Sequence, residues 1–455
     1  MHKRRAIATL TVLLALAGRG LPQTPEQLPE PLGDAMPAPS RIVISAPEQP
    51  KPAEGQKPEE LRAAKPAPKP VAAPKQPAAS CPCNGAQEKP SLEVTHTGPP
   101  DQMWFSAGYL LWKLADRPLP STLVAVNGAP VVGGPAGSTD FGNFSGIHID
   151  GGVWLDCQHV FGVNYAGFLL EQKHLTTTVT SSGAPGAPVI TRPVIDALTT
   201  QPVIILVGGP GLAGSFTVDS SIQLGSAEFN FTRNLWYNEF SSFEALMGFR
   251  YIGLEEDLTM TQVSQQTAGT GTLPFNGATG ATGFNRVTIT DVFHTRNQLW
   301  AGQLGAHYEA CKGIWFGSIT SKVAMGPNMQ TFIVQGSSVA TGPTGGTATA
   351  PSGILALSGA NATSANTRWF TIAPEVGVQA GMQVSQYMRV FVGYDFLYIN
   401  NVVRPGDLVN TTINQRFVPT SAAFGTTSGP QEPLLRTSRD DFFAHGVEFG
   451  MQFMY

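Results

Sequence analysis

The sequence contains few charged residues. Asp, Glu, Lys and Arg make up 13% of its 455 residues, and the formal net charge is −4. Soluble domains carry about 25% charged residues, so this composition does not fit an ordinary soluble enzyme. The net charge is also too small to indicate a nucleic-acid partner, and none is predicted.

Long apolar runs and cysteine are scarce as well. Although 42% of the residues are hydrophobic, no long apolar run follows the first turns of the chain, which excludes a bundle of membrane-spanning helices. Four cysteines are too few for a disulfide scaffold. Cys81 and Cys83 lack a second pair at zinc-binding spacing, so we expect oxidation, or pairing with Cys157 or Cys311, rather than metal binding. No nucleotide-binding motif occurs either, and no cofactor is predicted.

The first 100 residues of the sequence predict an export signal followed by a linker. Positive residues at positions 3–5 precede a short apolar segment at 6–17, which predicts a signal peptide over residues 1–20. Residues 21–100 are rich in Pro, Ala and Lys and lack the means to build a core, so we expect a disordered periplasmic linker. The simpler interpretation is an inert linker; the alternative is a spacer whose lysines contact the cell wall.

The last stretch of the sequence alternates with a period of two. One face carries Val447, Phe449, Met451, Phe453 and Tyr455, and the other carries Glu448, Gly450, Gln452 and Met454. An apolar, aromatic face opposite a small, polar face is typical of a strand in a membrane barrel, although an edge strand of a soluble sandwich could mimic it. Gly450, Phe453 and Tyr455 are similar to the C-terminal signal that bacterial outer-membrane barrels present to the barrel-assembly machinery.

Similar alternating segments recur from residue 101 to residue 455, joined in turn by short and long connections. The predicted strands cover residues 103–113, 144–156, 160–171, 215–233, 240–254, 288–310, 314–325, 368–384, 387–399 and 442–455. This rhythm predicts an all-β fold: one antiparallel up-and-down transmembrane barrel of about ten strands, with twelve as the alternative. An even number of strands places both ends of the mature chain in the periplasm.

Strand parity assigns charged side chains to the interior of the barrel. The predicted lumen-facing set is Glu228, Glu244, Arg250, Lys322, Glu375, Arg389, Asp395 and Glu448. Simple hairpin counting places Glu228 opposite Glu244 and Glu375 opposite Asp395. Because both signs occur, the set favours an ionic network that plugs the lumen; a narrow pore lining and acid–base catalysis are the alternatives.

No spacing in the sequence indicates an active site. His294, His307 and His445 are not tied to a nucleophile, so no enzyme is predicted and no catalytic residue is assigned. The acidic run 255–257 could hold calcium, but a solvated acidic rim is the favoured interpretation. No metal site is predicted.

Several segments of the barrel region carry a family resemblance. They are WFSAGYLLW at 104–112, DFGNFSG at 140–146, GFRY at 248–251, TRNQ at 295–298, PEVG at 374–377, GYDFLY at 393–398 and VRPGD at 403–407. In this order they resemble a planctomycete-type outer-membrane β-barrel family, numbered and without established activity. The resemblance implies an outer-membrane barrel surrounded by lipid and implies no substrate.

Three functions remain open from the sequence. A structural or surface-interaction barrel with large outer loops is favoured, because a lumen of about ten strands is only slightly wider than a filled eight-strand barrel. A narrow diffusion channel for small solutes is the alternative. An outer-membrane hydrolase is the third.

Overall fold

The structure, a computed structural model, describes residues 102–119, 121–267, 272–278, 283–425 and 428–455. The predicted signal peptide and linker, with Cys81 and Cys83, lie outside the described residues. Within the described residues, Cys157 is disulfide-bonded and Cys311 is a free thiol.

Strands dominate the described residues. They are β1 (Met103–Leu114), β2 (Val124–Val126), β3 (Ala129–Val132), β4 (Asn143–Trp154), β5 (Phe161–Leu170), β6 (Lys173–Ser181), β7 (Ile190–Asp196), β8 (Pro202–Gly208), β9 (Leu212–Tyr237), β10 (Ser241–Gln266), β11 (Arg286–Lys312), β12 (Trp315–Thr341), β13 (Thr347–Ala350), β14 (Thr363–Ser385), β15 (Met388–Val402), β16 (Thr412–Ile413) and β17 (Asp440–Met454). One short α-helix, α1 (Pro405–Leu408), follows β15, and single 3₁₀ turns cover Gly134–Ala136 and Gln415–Phe417. Within the described ranges, no helix has the length and apolar content needed to cross a bilayer.

Ten of these strands form a closed antiparallel ring. Each pairs with the next in the order β1, β4, β5, β9, β10, β11, β12, β14, β15 and β17, and β17 pairs back to β1. The predicted ten-strand barrel is therefore confirmed. We call the end with the short connections the turn end and the opposite end the loop end.

The outer surface of the turn-end half is apolar. Phe231, Met247, Phe249 and Leu304 point outward and are exposed. Two levels of aromatic side chains border this band: Trp236, Phe240, Trp315, Tyr387 and Tyr455 at the turn end, and Tyr251 and Trp300, whose rings lie 4.7 Å apart, at the other border. Between Trp300 and Trp315 a tilted strand of roughly 12 residues rises roughly 30 Å, the thickness of a bilayer core.

Beyond Tyr251 and Trp300 the two faces of the wall exchange character. On β10 the outward positions become Glu255, Asp257 and Thr259, while Leu258 and Met260 point inward and are fully buried. We define the loop-end half as this part of the barrel. The predicted strand ends at residues 254 and 325 were wrong, because β10 continues to Gln266 and β12 to Thr341. A strand does not end where the lipid ends; only the polarity of its faces changes.

The segments predicted to be outer loops fold back over and into the loop-end half. They supply a second sheet, in which β7 pairs with β8, β2 and β16, and β2 pairs with β3. Together with inward residues of the ring they form one apolar core. Its members include Leu123, Ile190, Val207, Phe216, Leu258, Phe293, Phe332, Ile354, Leu357, Leu408 and Ile413.

The observed hairpin registers correct the predicted pairs of facing carboxylates. Glu228 lies opposite Arg250, and Glu244 lies opposite Asn234, because the β9–β10 turn is shifted and a bulge follows at Phe243. On the other hairpin, Glu375 lies opposite Leu397, two positions from the Asp395–Gly377 pair. The register thus places an acid beside a base on β9 and β10 rather than two acids.

Candidate functional site: the barrel lumen

The lumen of the turn-end half contains a polar cavity of about 170 Å³. All eight predicted lumen residues point inward at this level or just beyond it. Six of them line the cavity: Glu228, Glu244, Lys322, Glu375, Arg389 and Asp395. Arg250 and Glu448 lie behind these and contact lining residues.

Four of the predicted residues form one buried cluster. Lys322 Nζ lies 2.7 Å from Glu228 Oε1 and 3.3 Å from Glu375 Oε1. Arg250 donates to Glu375 and lies 3.7 Å from Glu228. Each of the two bases therefore contacts both acids, and the four charges from β9, β10, β12 and β14 neutralise one another.

Of the other four predicted residues, two have a charged or hydrogen-bonding partner and two have none among the described residues. Arg389 donates to Glu309 at 2.9 Å and stacks over the Phe316 ring at 4.9 Å. Glu448 accepts from His148 Nδ1 at 2.7 Å when that nitrogen is protonated. Glu244 and Asp395 line the cavity without a hydrogen bond or ion pair to any described residue.

Sequence reasoning missed four further lumen groups. His148 and Asp150 lie on β4, and His307 and Glu309 lie on β11; all four line the cavity. Alternation along each strand explains their position. Phe144 on β4 and Gln303 on β11 point inward, and the four residues lie an even number of positions further along the same strands, so they point inward too.

A layer of buried apolar side chains lies between the polar cavity and the loop-end half. It consists of inward side chains that pack against one another, such as the Trp112 ring on β1 and the Phe168 ring on β5, 4.8 Å apart. Its larger members are Leu110, Trp112, Leu114, Phe144, Phe168, Leu170, Ile222, Leu224, Ile252, Leu254, Leu299, Leu397, Ile399 and Phe442. We refer to these residues as the apolar layer.

A buried charge cluster lies next to the apolar layer, on the loop-end side. Glu256 accepts hydrogen bonds from Arg117 and from Arg404, whose Nη2 is 2.9 Å away, and all three side chains are buried. Burial opposes ionisation of Glu256, but the guanidinium groups of Arg404 and Arg117 hold the pKa of its carboxyl below the usual range. The prediction of a solvated acidic rim was therefore wrong for Glu256.

A second buried charge in the loop-end half is equally well satisfied. Asp291 pairs with Arg192 at 3.0 Å, and its other oxygen accepts the backbone N–H groups of Ile354, Leu355 and Ala356, each at 2.9 Å. This carboxylate thereby anchors the connection between β12 and β14 inside the barrel.

The three histidines considered for catalysis are not brought together. His294 contacts Asp257 at 2.7 Å on the outer face, His307 contacts Thr320 in the lumen, and His445 contacts Tyr394. The hydrogen bond that the His294 imidazole donates to the Asp257 carboxylate raises the pKa of His294. Ser221 donates to the same carboxylate and not to the imidazole, so this arrangement does not activate its hydroxyl.

The three residues of the C-terminal signal face different environments. Gly450 faces the lumen, where a Cβ atom would come within 2.3 Å of the Phe391 ring, so any larger residue would have to displace that ring. Phe453 and Tyr455 lie on the outward face, and backbone hydrogen bonds join Tyr455 to Met103 across the closing strand pair. Among the described residues, no group of three His, Cys, Asp or Glu side chains could hold a metal ion.

A family model matches almost the whole barrel. Residues 104–455 match the family described as "Putative beta barrel porin-7". The chain belongs to this family. Membership is consistent with the numbered barrel family that the sequence segments indicated, and it makes the chain a porin-like β-barrel of the bacterial outer membrane. No curated protein is significantly similar to the chain.

Solved barrels resemble this beta barrel porin-7 chain only distantly. The outer membrane protease OmpT from Escherichia coli has 10% identity and a TM-score of 0.39, over 78% of this chain and 97% of that one. A Pseudomonas aeruginosa FadL homologue has 8% identity and a TM-score of 0.19, over 77% and 90%. The P. putida toluene transporter TodX has 8% identity and a TM-score of 0.17, over 79% and 91%. No conclusion about the activity of this chain follows from scores this low.

Proposed function

We propose that this beta barrel porin-7 chain is a closed outer-membrane barrel with a structural or surface-interaction role. In this proposal the loop end faces the cell exterior and the turn end faces the periplasm. Residues 1–20 direct export, and residues 21–100 form the periplasmic linker. The folded loop-end half presents the surface that contacts other cell-envelope or extracellular components.

The apolar layer is the observation that carries this proposal. A diffusion channel needs a continuous polar path, whereas Leu110, Trp112 and Phe144 are each at most 3% exposed inside the barrel. Ions would have to cross this layer without water, at a high cost in desolvation. The ionic cluster around Arg250 adds a second obstruction on the turn-end side.

The buried charges of the loop-end half support the same function. Arg404 bonds to Glu256 and to the backbone carbonyls of Ala115 and Asp116, so it joins the segment after β15 to the segment after β1. A segment held by several charge-assisted hydrogen bonds is suited to a permanent closure rather than to a mobile gate.

Planar-bilayer recording of the refolded full chain tests the proposal. We expect no steady conductance from the wild type. Trp112→Ala/Phe168→Ala removes two packed rings of the apolar layer and should produce measurable openings. Trp300→Ala, on the lipid-facing surface, is the matched control and should remain as silent as the wild type. A large, steady wild-type conductance would exclude the closed barrel.

A narrow diffusion channel is the second candidate, and the polar cavity is the observation that favours it. In that case the apolar layer would have to open transiently, and the recordings would contain brief wild-type openings that vanish when Lys322→Met changes the charge of the cavity. The closed-barrel proposal predicts no openings of the wild type.

Two further parts of the proposal concern partners and chemistry. We propose that the barrel-assembly machinery binds Phe453 and Tyr455. Replacing both residues with Ser should lower insertion of the barrel into the outer membrane of cells, while the protein should still refold in detergent.

We also propose that the chain has no hydrolytic activity. Cleavage of a broad peptide library that is lost in His294→Ala would contradict that proposal.

A further inference from the structure

The polar cavity contains more acidic than basic side chains. Six carboxylates line it: Asp150, Glu228, Glu244, Glu309, Glu375 and Asp395. Glu228 and Glu375 are paired with Lys322 and Arg250, and Glu309 is paired with Arg389. Among the described residues, no cationic nitrogen lies within 4.0 Å of the carboxylates of Asp150, Glu244 or Asp395.

Glu244 is the group that points to a missing ligand. Its side chain is aimed into the cavity, the residue is only 9% exposed, and it has no hydrogen bond to any described residue. On the other side of the lumen, behind the lining residues, Glu448 Oε2 is buried and has no hydrogen-bond partner among the described residues. Burying an ionised carboxylate is costly unless a cation or hydrogen-bond donor satisfies it.

The three acids without an ion-pair partner among the described residues stand on different walls of the barrel. Glu244 lies on β10, which is five places from β17 in the ring of ten strands. Asp395 lies on β15, next to β17, and Asp150 lies on β4, two strands from β17 on its other side, where it also has a hydrogen bond with Ser106. A ligand that satisfies both walls therefore needs a positive charge at each end.

The walls between these acids favour an organic cation. Trp104, Trp154 and Phe316 line the cavity, and aromatic faces attract alkylammonium groups. A cavity of about 170 Å³ is large enough for a small organic molecule, since about 10–15 Å³ is enough for one water molecule. As noted above, the described residues offer no cluster fit for a metal ion.

We propose that the polar cavity is a binding site for a short aliphatic diamine that enters from the turn end. One ammonium group binds Glu244, and the other binds the wall formed by Asp150 and Asp395. The alkyl chain lies against the aromatic rings. This site goes beyond the closed-barrel function and does not depend on it, since the cavity lies on the turn-end side of the apolar layer.

Calorimetric titration of the refolded full chain with 1,4-diaminobutane, in zwitterionic detergent at pH 8, tests the site. The wild type should bind saturably. Glu244→Gln should weaken binding about tenfold or more, the value of a charge-assisted hydrogen bond. Glu255→Gln, on the outer face of the same strand, is the matched control and should bind like the wild type. The uncharged 1,4-butanediol should not bind.

Several results would overturn the proposal: no saturable binding by the wild type, equal affinity in Glu244→Gln, equal binding of the diol, or displacement of the diamine by an equimolar amount of Ca²⁺. Glu244→Gln removes an unpaired buried charge, so its urea midpoint should not fall. If Glu244→Gln nevertheless fails to fold, Asp395→Asn replaces it in the titration, and its affinity for the diamine should likewise be about tenfold or more weaker than that of the wild type. Conductance is recorded separately, so failure of this site and failure of the closed barrel are distinguishable.

Discussion

The two halves of the barrel wall have opposite polarity. In the turn-end half, Phe249 and Trp300 face outward and Glu228 and Arg250 face inward. In the loop-end half, charged groups face outward and Leu258, Phe293 and Phe332 fill the interior. The same alternation runs through both halves, so the medium outside the wall, lipid or water, decides which face is apolar.

The halves also differ in how they satisfy buried charge. In the loop-end half, Glu256 and Asp291 each have an arginine and additional hydrogen-bond donors. In the turn-end half, Glu244 and Asp395 have no ion-pair partner among the described residues. The loop-end half is therefore packed like the core of a soluble domain, whereas the turn-end half keeps a polar space.

The largest expected effect concerns Glu256. Glu256→Gln keeps the shape of the side chain but leaves Arg117 and Arg404 buried without their carboxylate. We expect a loss of about 3–5 kcal/mol in the free energy of unfolding, because breaking a buried ion pair leaves charge uncompensated. Urea unfolding of the refolded barrel, followed by gel mobility and tryptophan fluorescence, measures it.

The neighbouring residue provides the control. Glu255 lies on the outer face, is 44% exposed at its side chain and sits 3.9 Å from Arg296. Glu255→Gln should cost less than about 1 kcal/mol, as exposed ion pairs do. Equal losses for the two variants would mean that the loop-end half is not held by buried charge, and the contrast with the turn-end half would disappear.

A smaller effect is expected for Arg389 in the turn-end half. Arg389→Ala removes the ion pair with Glu309 and the contact with the Phe316 ring, at an expected cost of about 2 kcal/mol. Arg389→Lys keeps the charge and should lose about half as much. An unchanged urea midpoint in Arg389→Ala would indicate that the ionic groups of the lumen do not stabilise the barrel.

The smallest expected effect on stability depends on pH and concerns Asp407, which lies in α1, three residues after Arg404. Burial, followed by the charge of Asp440, raises the pKa of the Asp407 carboxyl to about 7. The unfolded chain releases this proton near pH 4, so stability should fall as pH rises from about 4 to about 7 and stay level above that. The group is partly exposed, so we expect a change of about 1 kcal/mol.

Asp407→Asn supplies the comparison for this titration. The variant cannot ionise at this position, so its stability should lack the decrease between pH 5 and pH 7 that the wild type has. Urea midpoints across that range measure the difference. Parallel curves for the two proteins would contradict a role of Asp407 in the pH dependence.

The ring and its faces could be predicted from sequence because a period of two is a local signal. The outward Phe449 and Met451 and the inward Glu448 follow from alternation alone. The same signal, applied to β4 and β11, would also have found His148 and Glu309. Alternation works here because every ring strand separates two different media.

The interior of the loop-end half could not be predicted in this way. The segments that fill it have no long periodic pattern, and their buried arginines, such as Arg117 and Arg404, pair with residues more than 130 positions away. Registers also escaped prediction, since one bulge after Phe243 changes which residue faces Glu228. The predicted end of β12 at residue 325 was too early because the Gly and Thr residues near position 336 show no clear alternation of apolar and polar side chains.

The position of Arg404 has a consequence for the order of assembly. It binds the segment that follows β1, and it belongs to the segment that precedes β17. These two strands, the first and the last of the ring in sequence, pair with each other and close it. The contact between Arg404 and Ala115 joins residues 289 positions apart, so it cannot form before nearly the whole barrel sequence is present.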